Sequence, residues 1–324
     1  MGKLENSVRK ATLCMTRQCW EQGMLSFAFL ETGQTEEQDL LTYDMVVRQS
    51  GDGRLCNVEN TPAVTDSSFC IPAVLDSGKR LGRQDYTDAA LRNIDYLLHD
   101  APRAEDGTLC HMLGTTQIWA DSAAFLPYSL ILTGHPDEAM VQMKGILSCL
   151  FLPETGLYAH IWENAEGGGS FIDGTAWGVG NGWILTGLLR SSLAIREADP
   201  AAADWMEEKF RDLLSVMLEY MTPENSFHYT LDKEETFLDT EVCAMVVCAI
   251  YDAVRAGILE KGYKTYADRI RGYILTKVTE DGLVTDSSGS PDFAHAGTSV
   301  ESQAHVLMME AKRRALADAL KQEQ

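Results

Sequence analysis

The segment VTDSSF (64–69) carries Asp66 and the segment IWADSAAF (118–125) carries Asp121, each at the start of a helical run. Two carboxylates can share acid and base work when their surroundings push their pKa values apart. Histidines and tryptophans recur at junctions of the same kind. TRQCWEQG (16–23) supplies Trp20, and residues 109–130 supply His111 and Trp119. Residues 157–183 supply His160, Trp162 and Asp173, while His228 and His295 lie in two later loops. An indole face can lie on a sugar ring while carboxylates and imidazoles bind its hydroxyls. Singly, an aspartate at such a place is more often a helix N-cap than a catalyst, and a lone loop histidine usually satisfies nearby backbone. Their recurrence at one kind of junction points to a shared cleft.

The stretch TAWGVGNGW (175–183) adds Trp177 and Trp183, with Gly178, Gly180 and Gly182 between them and Asn181 beside the last. Glycine costs about 1 kcal/mol against alanine within a helix, so the pattern predicts a turn before a helix over 182–197. Such a turn would bring backbone close to a ligand and present two rigid indole walls, with Asn181 offering donors. A tight packing corner with buried indoles explains the same residues.

The elements that must position these groups are helices. Apolar periodicity predicts them near 4–31, 37–49, 65–81, 85–99, 120–133, 136–150, 182–197, 201–221, 238–256, 260–277 and 297–318. Short extended pieces are expected at 108–112, 157–162 and 226–230. Apolar, small-residue-rich helices alternate with charged ones: EVCAMVVCAIYDAVRAG (241–257) is followed by EKGYKTYADRIRGYILTKV (260–278). That alternation suits an inner ring of helices wrapped by an outer ring, with an open α-solenoid as the rival. No linker interrupts the chain, so residues 1–324 are expected to form a single all-α domain.

Composition removes other classes. Lys and Arg total 27 against 48 Asp and Glu, a net charge of −21, and no basic stripe appears. Nucleic acid and anionic membranes are therefore poor partners. No run reaches the length of a membrane span and the first residues lack a leader's apolar core. The eight cysteines show no CxxC spacing, so a reduced, cytoplasmic setting is expected, with neither a disulfide framework nor a zinc cluster.

WGVGNGW (177–183) resembles the WGRGNGW signature of the unsaturated uronyl hydrolases, glycoside hydrolase family 105, relatives of family 88. RQCWEQG (17–23), IWADSAAFLPYSLILTG (118–134), YAHIWE (158–163) and AGTSVESQAHVLMMEA (296–311) resemble family segments in the family's order. The resemblance covers essentially the whole chain and implies an (α/α)6 barrel of six helical hairpins. It implies removal of a Δ4,5-unsaturated uronyl residue from an oligosaccharide substrate by hydration of an enol ether, without cofactor or metal. Asp121 matches the family's acid/base, its pKa expected to be raised by Trp119 and Phe125. Asp66 matches the second carboxylate, and His111 and His160 match histidines that flank the ring.

One position departs. Val179 stands where the signature has Arg, a natural bidentate partner for a sugar carboxylate. Arg17 and Arg190 are the cations nearest to the motifs. The residues alone leave open a glycosidase or epimerase acting on a saturated sugar, and a non-catalytic carbohydrate-binding protein.

Overall fold

The computed structural model describes residues 2–58, 61–165, 168–289 and 292–322. Glu166 and Gly167, within a segment singled out above, lie outside the described residues. Twelve α-helices occur among the described residues: α1 (Lys3–Met15), α2 (Cys19–Thr32), α3 (Thr35–Val47), α4 (Ile71–Leu81), α5 (Gln84–His99) and α6 (Leu126–Leu132). They continue as α7 (Pro136–Leu150), α8 (Gly178–Ile195), α9 (Pro200–Glu219), α10 (Thr240–Arg255), α11 (Lys264–Leu275) and α12 (Val300–Gln322). Strands β1 (Gln117–Trp119), β4 (Ile161–Glu163) and β5 (Ser170–Asp173) form an antiparallel sheet, and β2 (Phe151–Leu152) pairs with β3 (Leu157–Tyr158).

The even-numbered helices form the inner ring. Each packs on the next, and α12 packs back on α2 to close the circle. Sequence dictates this sorting: α10 is buried almost throughout from Thr240 to Val254, whereas α11 buries only Ala267, Ile270 and Ile274. Short turns lead from each inner helix to the following outer one, and two of them end α2 and α4 on Gly33 and Gly82 in the left-handed region. From α3 onward, long segments lead from outer helices to inner ones, and they carry most of the motifs. The architecture is an (α/α)6 barrel, as expected.

Local structure corrects several boundaries. The expected helix over 4–31 breaks at Thr16, because the Glu21 carboxylate accepts hydrogen bonds from the Arg17 and Gln18 backbone amides and starts α2 afresh. The runs expected from residues 65 and 120 begin instead as 3-10 turns, Asp66–Cys70 and Ala120–Ala123. The short strands β1 and β5 gave no periodic signal, being three and four residues long.

The glycine-rich turn is absent. Gly178, Gly180 and Gly182 lie inside α8 with ordinary helical backbone. A Cβ on Gly182 would stand 2.3 Å from Met245 Sδ of α10. Farther along, a Cβ on Gly187 would stand 2.0 Å from the carbonyl oxygen of Ala123, within the turn that carries Asp121. The glycines buy close approach of α8 to its neighbours, which offsets their poor helix propensity.

Candidate active site

The six inner helices run in the same direction, and a pocket of about 350 Å3 lies at their N-terminal ends. Trp20 comes from the first turn of α2, Val179 and Trp183 from α8, Glu241 from α10 and Glu301 from α12. Asp66 and Asp121 come from the 3-10 turns ahead of α4 and α6, and His160 from the residue before β4. His111, Trp119, Trp177, Phe69 and Phe293 complete the wall.

Neither aspartate acts as the cap that its position suggests. Asp66 is buried and makes no capping hydrogen bond; its Oδ1 lies 3.4 Å from His111 Nε2. His111 Nδ1 sits 2.8 Å from the Thr65 hydroxyl and 3.1 Å from that of Ser122, and its ring stacks on Trp119 with centroids 4.4 Å apart. Burial raises the Asp66 pKa, partly offset by His111 and reinforced by the Asp121 charge.

Asp121 behaves differently from expectation. Its Oδ2 is buried without a hydrogen-bond partner, 3.6 Å from His160 Nε2. Burial pushes this carboxyl up, but the His160 imidazolium more than compensates and holds it below the usual aspartate value. The expected upward shift is therefore corrected: Trp119 lines the pocket, but Phe125 lies in the core against Phe27 and Phe69. On its other side, His160 Nδ1 lies 2.9 Å from Asp173 Oδ2. The Asp173 Oδ1 accepts from the Thr175 amide and hydroxyl, which fixes it at the end of β5. Burial works against the charged imidazole, but these two carboxylates raise its pKa to about 9.

Sequence reasoning missed two carboxylates that face the same pocket. Glu301 is pushed up to about 8 by burial and by Glu21. Glu241, which accepts a hydrogen bond from the Ser299 hydroxyl at 2.6 Å, is pushed well above the usual range by burial and by Glu301 and Asp239. Each stands in the first turn of its helix, and an acidic residue there is ordinarily a partner of the helix dipole.

Asn181 does not reach the pocket. It is 0% exposed, with its Oδ1 on the Tyr158 amide and its Nδ2 on the Tyr158 and Trp177 carbonyls. His228 bonds the Thr236 carbonyl, His295 lies on the surface beside Asp292, and Trp162 packs on Phe171 in the sheet. No Lys or Arg lines the pocket among the described residues. Arg17 is exposed, and Arg190 lies in another cavity.

Paired aspartates and indole walls at one end of a closed helical toroid define a glycosidase of the helical-barrel class. The chain belongs to glycosyl hydrolase family 88, whose model matches residues 3–309. It is 26% identical over 239 residues to the unsaturated rhamnogalacturonyl hydrolase YesR of Bacillus subtilis (strain 168), which covers 70% of this chain. The match spans 65% of that relative's own length. The fold is similar to that of a possible family 105 member from Salmonella enterica, with a TM-score of 0.82 and 15% identity over 98% of this chain and 95% of that one. It is also similar to the unsaturated glucuronyl hydrolase of Bacillus sp. GL1, with a TM-score of 0.64 and 14% identity over 91% and 85% of the two chains. The resemblance read from the sequence motifs therefore holds at the level of the family.

Proposed function

We propose that the protein removes a Δ4,5-unsaturated uronyl residue from the non-reducing end of a pectin- or glycosaminoglycan-derived oligosaccharide. The reading rests chiefly on one observation: Asp121 lines an indole-walled pocket with its Oδ2 turned to His160, whose ring Asp173 holds from the other side. An unsaturated uronyl ring suits the space because its flat enol ether can lie between Trp119 and Trp177.

Asp121 acts as the acid/base. Asp173 fixes the His160 ring so that the Nε2 proton points at Asp121. Arrival of the substrate carboxylate expels water and adds negative charge, which favours a shift of that proton onto Asp121. Asp121 then protonates C4, and positive charge develops at C5 and the ring oxygen. The regenerated carboxylate takes a proton from a water that adds to C5. The hemiketal opens and releases the saccharide attached at C1. Asp66 and His111 position the ring hydroxyls, and Trp20, Trp177 and Trp183 serve as walls.

With Val179 in place of an arginine, the uronate carboxylate needs other donors. The N-termini of the inner helices converge on the pocket, and each carries partial positive charge. Glu301, pushed up to about 8 by burial and by Glu21, adds an O–H donor near neutrality, and burial likewise pushes Glu241 upward. All eight cysteines are unpaired, which supports a reducing, cytoplasmic working environment. Incubation with unsaturated rhamnogalacturonan and chondroitin disaccharides tests the reading: the ultraviolet absorbance of the C4=C5 bond should vanish. A saturated glycoside cleaved while that absorbance persists would overturn it.

A further inference from the structure

A second cavity, of about 290 Å3, opens among the C-terminal halves of the inner helices, at the opposite end of the barrel from the aspartates. Five of its lining residues are charged. Lys312 pairs with Glu31 and Asp252, and Arg255 pairs with Asp252 at 3.3 Å. These four balance one another.

Arg190 is left over. Its Nη1 donates to the Ala124 carbonyl at 2.6 Å, and its guanidinium lies over Phe125, Phe27 and Tyr128 at 4.1, 4.7 and 5.8 Å from their centroids. It makes no ion pair among the described residues, and burial holds its pKa below the usual arginine value. A buried guanidinium that Glu31 and Asp252 influence only at a distance, with no carboxylate in direct contact, is costly unless something anionic completes it. In a chain of net charge −21, an unpaired internal cation is also out of character.

A second, independent group lines the same space. His305 is 1% exposed, and its Nδ1 lies 2.8 Å from the Glu301 carbonyl, which makes Nδ1 the protonated nitrogen. Nε2 is therefore an acceptor, and it has no partner. Burial pushes the His305 pKa down to about 3, so it stays an acceptor throughout the working range. The cavity thus presents a planar cationic fork and a lone acceptor, between apolar surfaces from Phe27, Leu189 and Met308.

We propose that this cavity is a second ligand site, for a small hydroxylated monocarboxylate whose carboxylate meets Arg190 and whose hydroxyl donates to His305 Nε2. A dianion such as phosphate is disfavoured, since Arg190 leaves one positive charge uncompensated there and the helix C-termini repel a second negative charge. The site is also wired to the main pocket: the His305 ring lies 5.4 Å from that of Trp183, a wall of the other cavity.

The test reads binding rather than turnover, so it stands apart from the proposed reaction. Thermal unfolding of the full chain is followed with D-glucuronate, D-glucose or acetate, each titrated to high millimolar concentration. D-glucuronate should stabilise the protein, acetate weakly and glucose not at all at the same concentration. Arg190→Gln should weaken the glucuronate effect about tenfold or more, the worth of a carboxylate–guanidinium bond, while Trp20→Ala should leave it in place. If the Gln variant does not fold, Arg190→Lys, which keeps the charge and loses the fork, should weaken glucuronate several-fold. His305→Phe should then reduce glucuronate binding to the level of acetate. No stabilisation of the wild type overturns the proposal. Stabilisation that survives the changes at Arg190 and His305, or disappears in Trp20→Ala, also overturns it and assigns the ligand to the main pocket.

Discussion

Asp173 Oδ2 lies 2.9 Å from His160 Nδ1 and fixes the face that the imidazole turns toward Asp121. Neither residue stands near the other in an obvious motif, but β4 and β5 pair in a register that sets Ile161 opposite Asp173. The hairpin thus converts two loop residues into a carboxylate–imidazole–carboxylate chain.

Asp173→Asn should lower turnover about tenfold or more while leaving the fold intact. The wild-type kcat/KM should fall as pH rises through about 9, where His160 loses its proton. In the Asn variant that basic limb should move to lower pH. A profile unchanged in both height and position would reduce Asp173 to a loop anchor.

The same pair sets a stability profile. The folded-state pKa of His160 is raised from 6.5 to about 9, so its contribution is complete below about pH 6.5 and is lost as pH rises through about 9. Asp173 is held below the usual aspartate range, first by the His160 hydrogen bond, and its contribution is lost only in acid. Melting temperature should decline between pH 6.5 and 9, and His160→Gln should flatten that decline.

Asp121→Asn should cost on the order of 10²–10⁴ in turnover, the usual worth of general acid/base catalysis. Circular dichroism and sugar binding should match the wild type, since Oδ2 holds no structural hydrogen bond. Retention of more than about a tenth of the rate would transfer the acid role to Asp66.

Two glycines should respond oppositely to alanine. Gly187→Ala drives a Cβ into the Ala123 carbonyl, with a cost of about 1–3 kcal/mol and a displaced Asp121 turn, so activity should fall with stability. Gly272→Ala, in α11 with open space around its Cβ, should stabilise by about 0.5–1 kcal/mol. Denaturant midpoints of the two variants check the contrast.

Val179 lines the pocket while only 2% exposed. Val179→Arg should therefore change KM for unsaturated uronyl disaccharides by about tenfold or more, the scale of a charge-assisted hydrogen bond. Binding should tighten for unsubstituted uronates and weaken for bulkier ones. Identical KM values across the substrates would remove residue 179 from ligand contact.

The barrel was legible because inner helices such as α8 and α10 are buried almost throughout, whereas outer ones such as α11 bury a single stripe. Asp66, Asp121, His111, His160 and the tryptophans were legible as chemistry because they cluster at junctions of one kind. Asn181 misled, since a polar residue among glycines looks available when it is saturated by the Tyr158 backbone. Glu241 and Glu301 were hidden because nothing local distinguishes an acid at a helix start from one aimed into a cavity. The direction of the Asp121 shift was hidden too: it depends on β5 bringing Asp173 and His160 together, a contact between strands of three and four residues.

The seam where the ring closes has a kinetic meaning. Gln303 on α12 donates to the Val8 carbonyl and to the Thr12 hydroxyl on α1, so the first and last hairpins are fastened across nearly the full chain. Contacts of such sequence separation form late and slow a fold. An open stack of repeats can grow from either end, but here α2 and α10 keep bare apolar flanks until α12 arrives. Folding should therefore finish in one cooperative step at the seam, and a ribosome-bound chain halted before Val300 should remain a chaperone client rather than a smaller barrel.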